Sequence, residues 1–293
     1  MHFNIFTLHP DIFNSFFSTA LIAKGLERGI FSYKTYNWRQ EFGTGNYKQV
    51  DKKPFGGGTG MLLKAEPIFQ ALQKFDAVSK LFKKPEKPVI HSRKEPNNHN
   101  FFNLTKEGKI KKATILLSPR GFTFNQQIAH WLANNFQELN FVCGRYEGFD
   151  ARVSEAVDLE ISIGNFVLGG GEVASMAIIE TITRLLPGFL IKQESRQHDS
   201  FSSHLNIYTE QMETILGKKR IQQKPSLTQK FEQEFDFSNL FCNSSWNKYI
   251  LPKIEHPQYT RPVVWQNFKV PEVLLSGDHK KVQKWRESDW QKG

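Results

Sequence analysis

Cys143-Gly144-Arg145-Tyr146-Glu147-Gly148, followed by Ser162-Ile163-Gly164-Asn165-Phe166-Val167-Leu168-Gly169-Gly170-Gly171-Glu172, is the stretch that decides how this chain is read. Each segment follows or contains an apolar run suited to a buried strand. Each then offers bare glycine backbone that a ligand can approach closely. The pair therefore reads as a binding site at the ends of strands.

Working outward, Thr114 to Leu117 and Asn140 to Cys143 are short apolar strand candidates, separated by a helical pattern from Gln126 to Phe136. That alternation predicts parallel βαβ units. Phe3 to Leu8 reads as a first strand, Asp11 to Gly29 as a helix stopped by Gly29, and Glu66 to Phe82 as a further helix. Glu172 to Leu186 forms another, ended by Pro187-Gly188. In parallel sheets ligands bind beyond the carboxyl ends of the strands, which places Ser118-Pro119-Arg120-Gly121, the Gly144 turn and the Gly164 loop around one crevice. Lys53-Pro54-Phe55-Gly56-Gly57-Gly58-Thr59-Gly60-Met61 is a second glycine loop, and no Lys-Ser or Lys-Thr follows it to make a phosphate-gripping Walker A loop.

The 293 residues suffice for a main domain and an appendage. Lys83 to Lys112 reads as a basic surface excursion, and Lys192 to about Trp246 is polar enough for a linker and insertion. A final helix carries Lys280, Lys281, Lys284 and Arg286. Lys and Arg outnumber Asp and Glu by 39 to 29, and the pI near 9.4 suits a polyanionic partner. Two distant cysteines exclude a disulfide framework and a zinc knuckle and fit a reducing compartment. With no leader-like start and no apolar run long enough for a membrane span, a cytoplasmic protein without a membrane partner is expected.

Taken together and in order, the glycine loop ending at Met61, Leu117-Ser118-Pro119, Cys143 to Asp150, Ser162 to Glu172, Arg184 with Pro187-Gly188, Asp199-Ser200-Phe201, Pro257 to Pro262, and Val273 to His279 with Trp285-Arg286 resemble the bacterial tRNA (guanine-N1) methyltransferases of the SPOUT superfamily. The resemblance implies an α/β fold with a parallel sheet and a deep C-terminal trefoil knot, a rare exception to unthreaded chains. It implies residues 1–191 as the methyltransferase domain, 192–246 as linker and insertion, and 247–293 as a shortened, helical tRNA-binding domain. The implied activity is methyl transfer from S-adenosylmethionine to N1 of guanosine 37 of tRNA, by a homodimer whose sites use both subunits.

By the same resemblance, S-adenosylmethionine is held at Leu116, Leu117, Ser118, Pro119, Gly144, Tyr146, Gly148, Ile163, Gly164, Asn165, Phe166, Val167, Leu168, Gly170 and Gly171. Asp199 is implied as general base and Arg184 as the cation facing charge that develops on guanine O6. Read alone, Asp199 fits a solvated residue or helix cap better than a base, and Arg184 fits a complement to a helix dipole or a partner of Glu180. Glu147 is a candidate for the family's magnesium dependence or for a plain ion pair with Arg145. Tyr146 and Phe166 are adenosine contacts or core residues. The chain departs from the family at Asn165, usually Asp, at Val173-Ala174-Ser175, usually Leu-Pro-Ala, and at Leu116, usually larger. Two rival readings stay open, an RNA methyltransferase with another target base and a catalytically idle RNA-binding paralogue.

Overall fold

A computed structural model describes residues 1–80, 82–91, 112–190 and 255–288. Its centre is a five-stranded sheet in which every neighbouring pair runs parallel. In chain order these strands are β1 (His2–Thr7), β2 (Ser32–Asn37), β6 (Lys112–Thr123), β7 (Glu138–Val142) and β8 (Leu159–Ser162), and their spatial order is β2-β1-β7-β6-β8. Among the described residues two small sheets remain, the pair of β3 (Asp51–Lys52) with β4 (Leu62–Leu63) and the three strands β5 (Val89–Ile90), β10 (Phe268–Lys269) and β9 (Val264–Trp265).

Both faces of the sheet are covered, as parallel strands require. On one face Phe3, Ile5, Ile115, Leu139, Phe141 and Ile161 pack against α2 (Ala20–Glu27), α5 (Gln126–Asn135) and α6 (Gly171–Leu185). On the other, Phe6, Leu116 and Val142 meet α4 (Ala65–Lys74) and a 3-10 turn over Ala151–Ala156. One polar row crosses this second face in register. Asn4 donates to Asn140 Oδ1 (2.9 Å), Asn140 to Thr114 Oγ1 (3.0 Å), and the Thr114 amide to Asp158 Oδ2 (2.8 Å). Each buried polar group thereby gains a partner, and a slip of one residue would break the row.

The helix expected from Asp11 to Gly29 is interrupted. A 3-10 turn (Pro10–Phe13) runs into α1 (Asn14–Phe17), and the chain breaks before α2. Thr19 donates its hydroxyl back to Ser15 O (2.5 Å), and Ala20 takes a left-handed φ of 52°. Such back-bonding competes with helix continuation. The helix expected to reach Phe82 stops at Lys74, after which Asp76 is also left-handed. α3 (Trp38–Phe42) follows β2, and α7 (His279–Ser288) closes the described chain.

Residues 255–288 pack onto the sheet domain through a small core of Tyr259, Val270, Leu274 and Val282, with Phe55 and Trp285 against it. A fully buried ion pair fixes this contact. Arg152 donates through Nε to Asp150 Oδ1 (2.8 Å) and through Nη2 to Oδ2 (2.9 Å), and its guanidinium also reaches the carbonyls of Thr260 (2.8 Å) and Pro262 (2.9 Å). Asp150 in turn accepts from the Thr260 amide (2.7 Å).

Candidate functional site

Loops leaving the carboxyl ends of β1, β6, β7 and β8 meet at one edge of the sheet, beside the place where strand order reverses around β1. Glu172, in the first turn of α6, holds them together. It is almost fully buried; its Oε1 accepts from the Thr7 hydroxyl at the end of β1 (2.7 Å), and its Oε2 lies 3.0 Å from Arg145 Nε in the β7 loop. A carboxylate there also faces the positive end of the helix. That Arg145–Glu172 contact meets the distance for an ion pair but not the alignment for a hydrogen bond, so we read it as charge attraction. Arg145 therefore pairs with Glu172, and the pairing with Glu147 considered from sequence is replaced by it.

The two glycine segments are stapled directly. Gly171 N donates to Gly144 O (3.0 Å), and Arg145 and Gly170 form an antiparallel bridge. Glycine is needed for this approach, because a Cβ on Gly171 would sit 2.9 Å from Cys143 Cα. The same closeness appears in β6, where Leu117 and Phe122 both pair with Ile161. Ser118 to Gly121 thus bulge out of the ladder, and a Cβ on Gly121 would lie 2.4 Å from the Ile161 amide nitrogen.

The expected cofactor residues fall into two groups around this edge. Leu116, Leu117, Ser118, Pro119 and Gly148 line a cleft with Arg120, Glu147, Phe149 and, across from them, Glu255, His256 and Gln258. Leu116 and Leu117 point into the cores on opposite faces and offer the cleft their backbone. Gly144, Tyr146, Ile163 to Leu168, Gly170 and Gly171 lie outside that lining, on the stapled loops. Tyr146 is 54% exposed and Phe166 52%, so neither is a core residue. Tyr146 also adopts a left-handed φ of 60°, uncommon for a bulky residue and fixed here by its neighbours.

Burial pushes the Cys143 thiol far up from its ordinary range, with the Glu172 charge adding to the effect, which makes it an inert core residue. At the cleft rim, partial desolvation and then the charge of Glu147 raise the Glu255 carboxyl. Desolvation lowers the neighbouring His256, despite its contact with the Pro257 carbonyl. Among the described residues no three His, Cys, Asp or Glu side chains are grouped to hold a metal. No helix among them is long and apolar enough to cross a membrane.

Arg184 sits exposed in the last turn of α6 and does not line the cleft. Asp199 and the expected insertion from 206 to 246 lie outside the described residues. Sequence reading passed over Glu172 and Arg152. The signal for Glu172 was an acidic residue opening a helix after three glycines; for Arg152 there was none, since beyond nearby Asp150 the carbonyls it binds lie about 110 positions further on.

The profile of the family described as tRNA (Guanine-1)-methyltransferase TrmD matches residues 1–213 and 239–292. A tRNA (guanine-N(1)-)-methyltransferase from Shouchella clausii is 35% identical over 98% of this chain and 85% of its own length. One from a Sulfurihydrogenibium species is 36% identical over 98% of this chain and 81% of its own. The crystal structure of a tRNA (m1G37) methyltransferase from Aquifex aeolicus, at 24% identity and a TM-score of 0.49, aligns over 99% of this chain and 88% of that one.

Proposed function

The chain belongs to the tRNA (guanine-1)-methyltransferase family, and we propose that it transfers a methyl group from S-adenosylmethionine to N1 of guanosine 37 of tRNA. The observation that carries this reading is the convergence of three strand-end loops, stapled through Gly144, Gly171 and Glu172, at the sheet edge where parallel folds bind ligands.

The residues present fit the cofactor. Gly148 (φ 93°) and Gly169 have open space where a Cβ would stand, so the backbone there is accessible. Ser118 to Gly121 lie outside the ladder, and Tyr146 and Phe166 offer half-exposed rings for a purine. Leu116 to Pro119, Gly144, Tyr146, Gly148, Ile163 to Leu168, Gly170 and Gly171 would hold S-adenosylmethionine. When bound, it supplies an electrophilic methyl group on a sulfonium.

The chain's own work is to orient guanine in line with that methyl, take the N1 proton and offset negative charge toward O6. In this proposal the Asp199 carboxylate accepts the N1 proton and Arg184 faces O6. Arg184 stands apart from the cleft of its own chain, which suits a homodimer in which linker and helix from two copies complete each site. Val167, 87% exposed, and Val173 supply apolar surface for such a partner. The proposal includes the deep trefoil knot, a tRNA-binding module at 247–293 after a linker at 192–246, and a cytoplasmic location. The proposal includes magnesium, for which Glu147 at the cleft would be the candidate carboxylate.

The test is methyl transfer from labelled cofactor to unmodified tRNA transcripts carrying guanosine or adenosine at position 37, with the product located by mass spectrometry. Transfer to another base would indicate a relative with a different target. Binding of tRNA and cofactor without transfer would indicate an idle paralogue.

A further inference from the structure

Outside the cofactor crevice, the turn between α3 and β3 is built unlike a loose loop. Thr44 N donates to Gln49 O (3.1 Å), Gln49 N to Thr44 O (2.9 Å), and Lys48 N to Gly45 O (3.2 Å). Gly45 and Lys48 take left-handed φ values of 69° and 49° to close it. The Lys64 ammonium donates to Thr44 Oγ1 (3.0 Å) from behind. At the tip of this fixed turn stands Tyr47, 96% exposed. An aromatic ring held wholly in water on a braced backbone gains from a flat apolar partner.

The hollow beside that ring is lined by Arg39, Lys48, Gln49, Asp51 and Tyr146. Arg39 donates to the Tyr146 hydroxyl (2.8 Å), while its buried Nε has no hydrogen-bond partner. The nearby acid Glu41 is engaged by Lys74. Desolvation and then the Lys52 charge lower the Lys64 ammonium, partly offset by Glu66 and Asp51. A bare ring flanked by cations is how single-stranded nucleic acid is gripped, with the base on the ring and the phosphate on the charges. The hydrogen bond from Arg39 places this hollow directly against the cofactor turn.

We propose that the Thr44–Gln49 turn is a nucleotide subsite, at which an unpaired base of the substrate RNA stacks on Tyr47 while its phosphate meets Arg39 and Lys48. The inference rests on the tRNA methyltransferase reading and assigns a specific contact within it. A chain that binds RNA only through its C-terminal helix would leave this turn idle.

The experiment measures binding of a tRNA transcript and of S-adenosylmethionine to the full chain and to Tyr47→Ala, Tyr47→Phe and Lys48→Gln variants. Tyr47→Ala should weaken tRNA binding by at least about fivefold and raise KM for tRNA, with cofactor affinity unchanged. Tyr47→Phe should keep wild-type affinity, since the ring is what stacks. Lys48→Gln should lower the slope of log affinity against log salt by about 0.7, one single-strand phosphate contact. Wild-type tRNA affinity in Tyr47→Ala, alongside an active parent enzyme, overturns the subsite and leaves the methyltransferase reading standing. Equal losses in Phe and Ala variants, or a loss of cofactor affinity, also overturn it. A parent that neither binds nor methylates tRNA removes both.

Discussion

Replacing Arg152 by Met tests the claim that one buried ion pair fixes residues 255–288 to the sheet domain. Both members are fully buried. The substitution removes two bonds to Asp150 and the donors to Thr260 O and Pro262 O, all between 2.8 and 2.9 Å, and leaves the carboxylate buried with only backbone donors. Breaking such a pair from one side costs about 3–5 kcal/mol, most of it the uncompensated charge. Urea denaturation should therefore show a midpoint lowered by roughly 1–3 M. Arg152→Lys keeps the charge but not the planar fork, so it should fall between Met and wild type. In Asp150→Leu/Arg152→Met the charge is gone from both sides, and the combined loss should be smaller than the sum of the single losses. Because Glu255, His256 and Gln258 line the cleft just before the clamped Thr260, limited proteolysis should cut Arg152→Lys sooner in 255–288 than elsewhere. A loss under about 1 kcal/mol in Arg152→Met would refute the reasoning.

Other consequences follow from single residues. Asp199→Asn should abolish methylation while cofactor binding, measured by calorimetry, stays near wild type; unchanged turnover removes Asp199 as base. Gly121→Ala forces a Cβ to within 2.4 Å of the β8 backbone and should destabilise the fold by about 1–3 kcal/mol in thermal melts, with weaker cofactor binding from the displaced Ser118 bulge. Asp158 supplies a pH test. Burial raises its carboxyl above the ordinary 3.8, partly offset by the Thr114 amide, so the folded state holds the proton more tightly than the unfolded. Its contribution is fully present below about pH 4 and is lost as pH rises through the raised value. Asp158→Asn should remove that loss, so its stability relative to wild type should rise between pH 4 and 7; a constant difference would show that the carboxyl titrates normally.

The central strands were legible because β1, β6 and β7 bury both faces and cluster large apolar residues around a few buried polar ones. β2, Ser-Tyr-Lys-Thr-Tyr-Asn at the sheet edge, has no such run and showed no signal. The glycine segments marked the cofactor edge because their lack of side chains is itself the requirement. How they are held was not legible: Glu172 finds Thr7 and Arg145 only through the fold, and the bulge at Ser118 to Gly121 depends on how closely β8 approaches. The Asp150–Arg152 clamp was hidden for the same reason, since its partners meet only after the C-terminal segment has docked. Tyr47 drew no notice in a polar, glycine-rich stretch, where exposure cannot be read from composition.

The most direct measurement is single-turnover transfer of a labelled methyl group to tRNA transcripts differing only at position 37. The account predicts N1-methylguanosine at position 37 with the guanosine transcript and none with adenosine. Methylation elsewhere, or tRNA and cofactor bound without transfer, would contradict it.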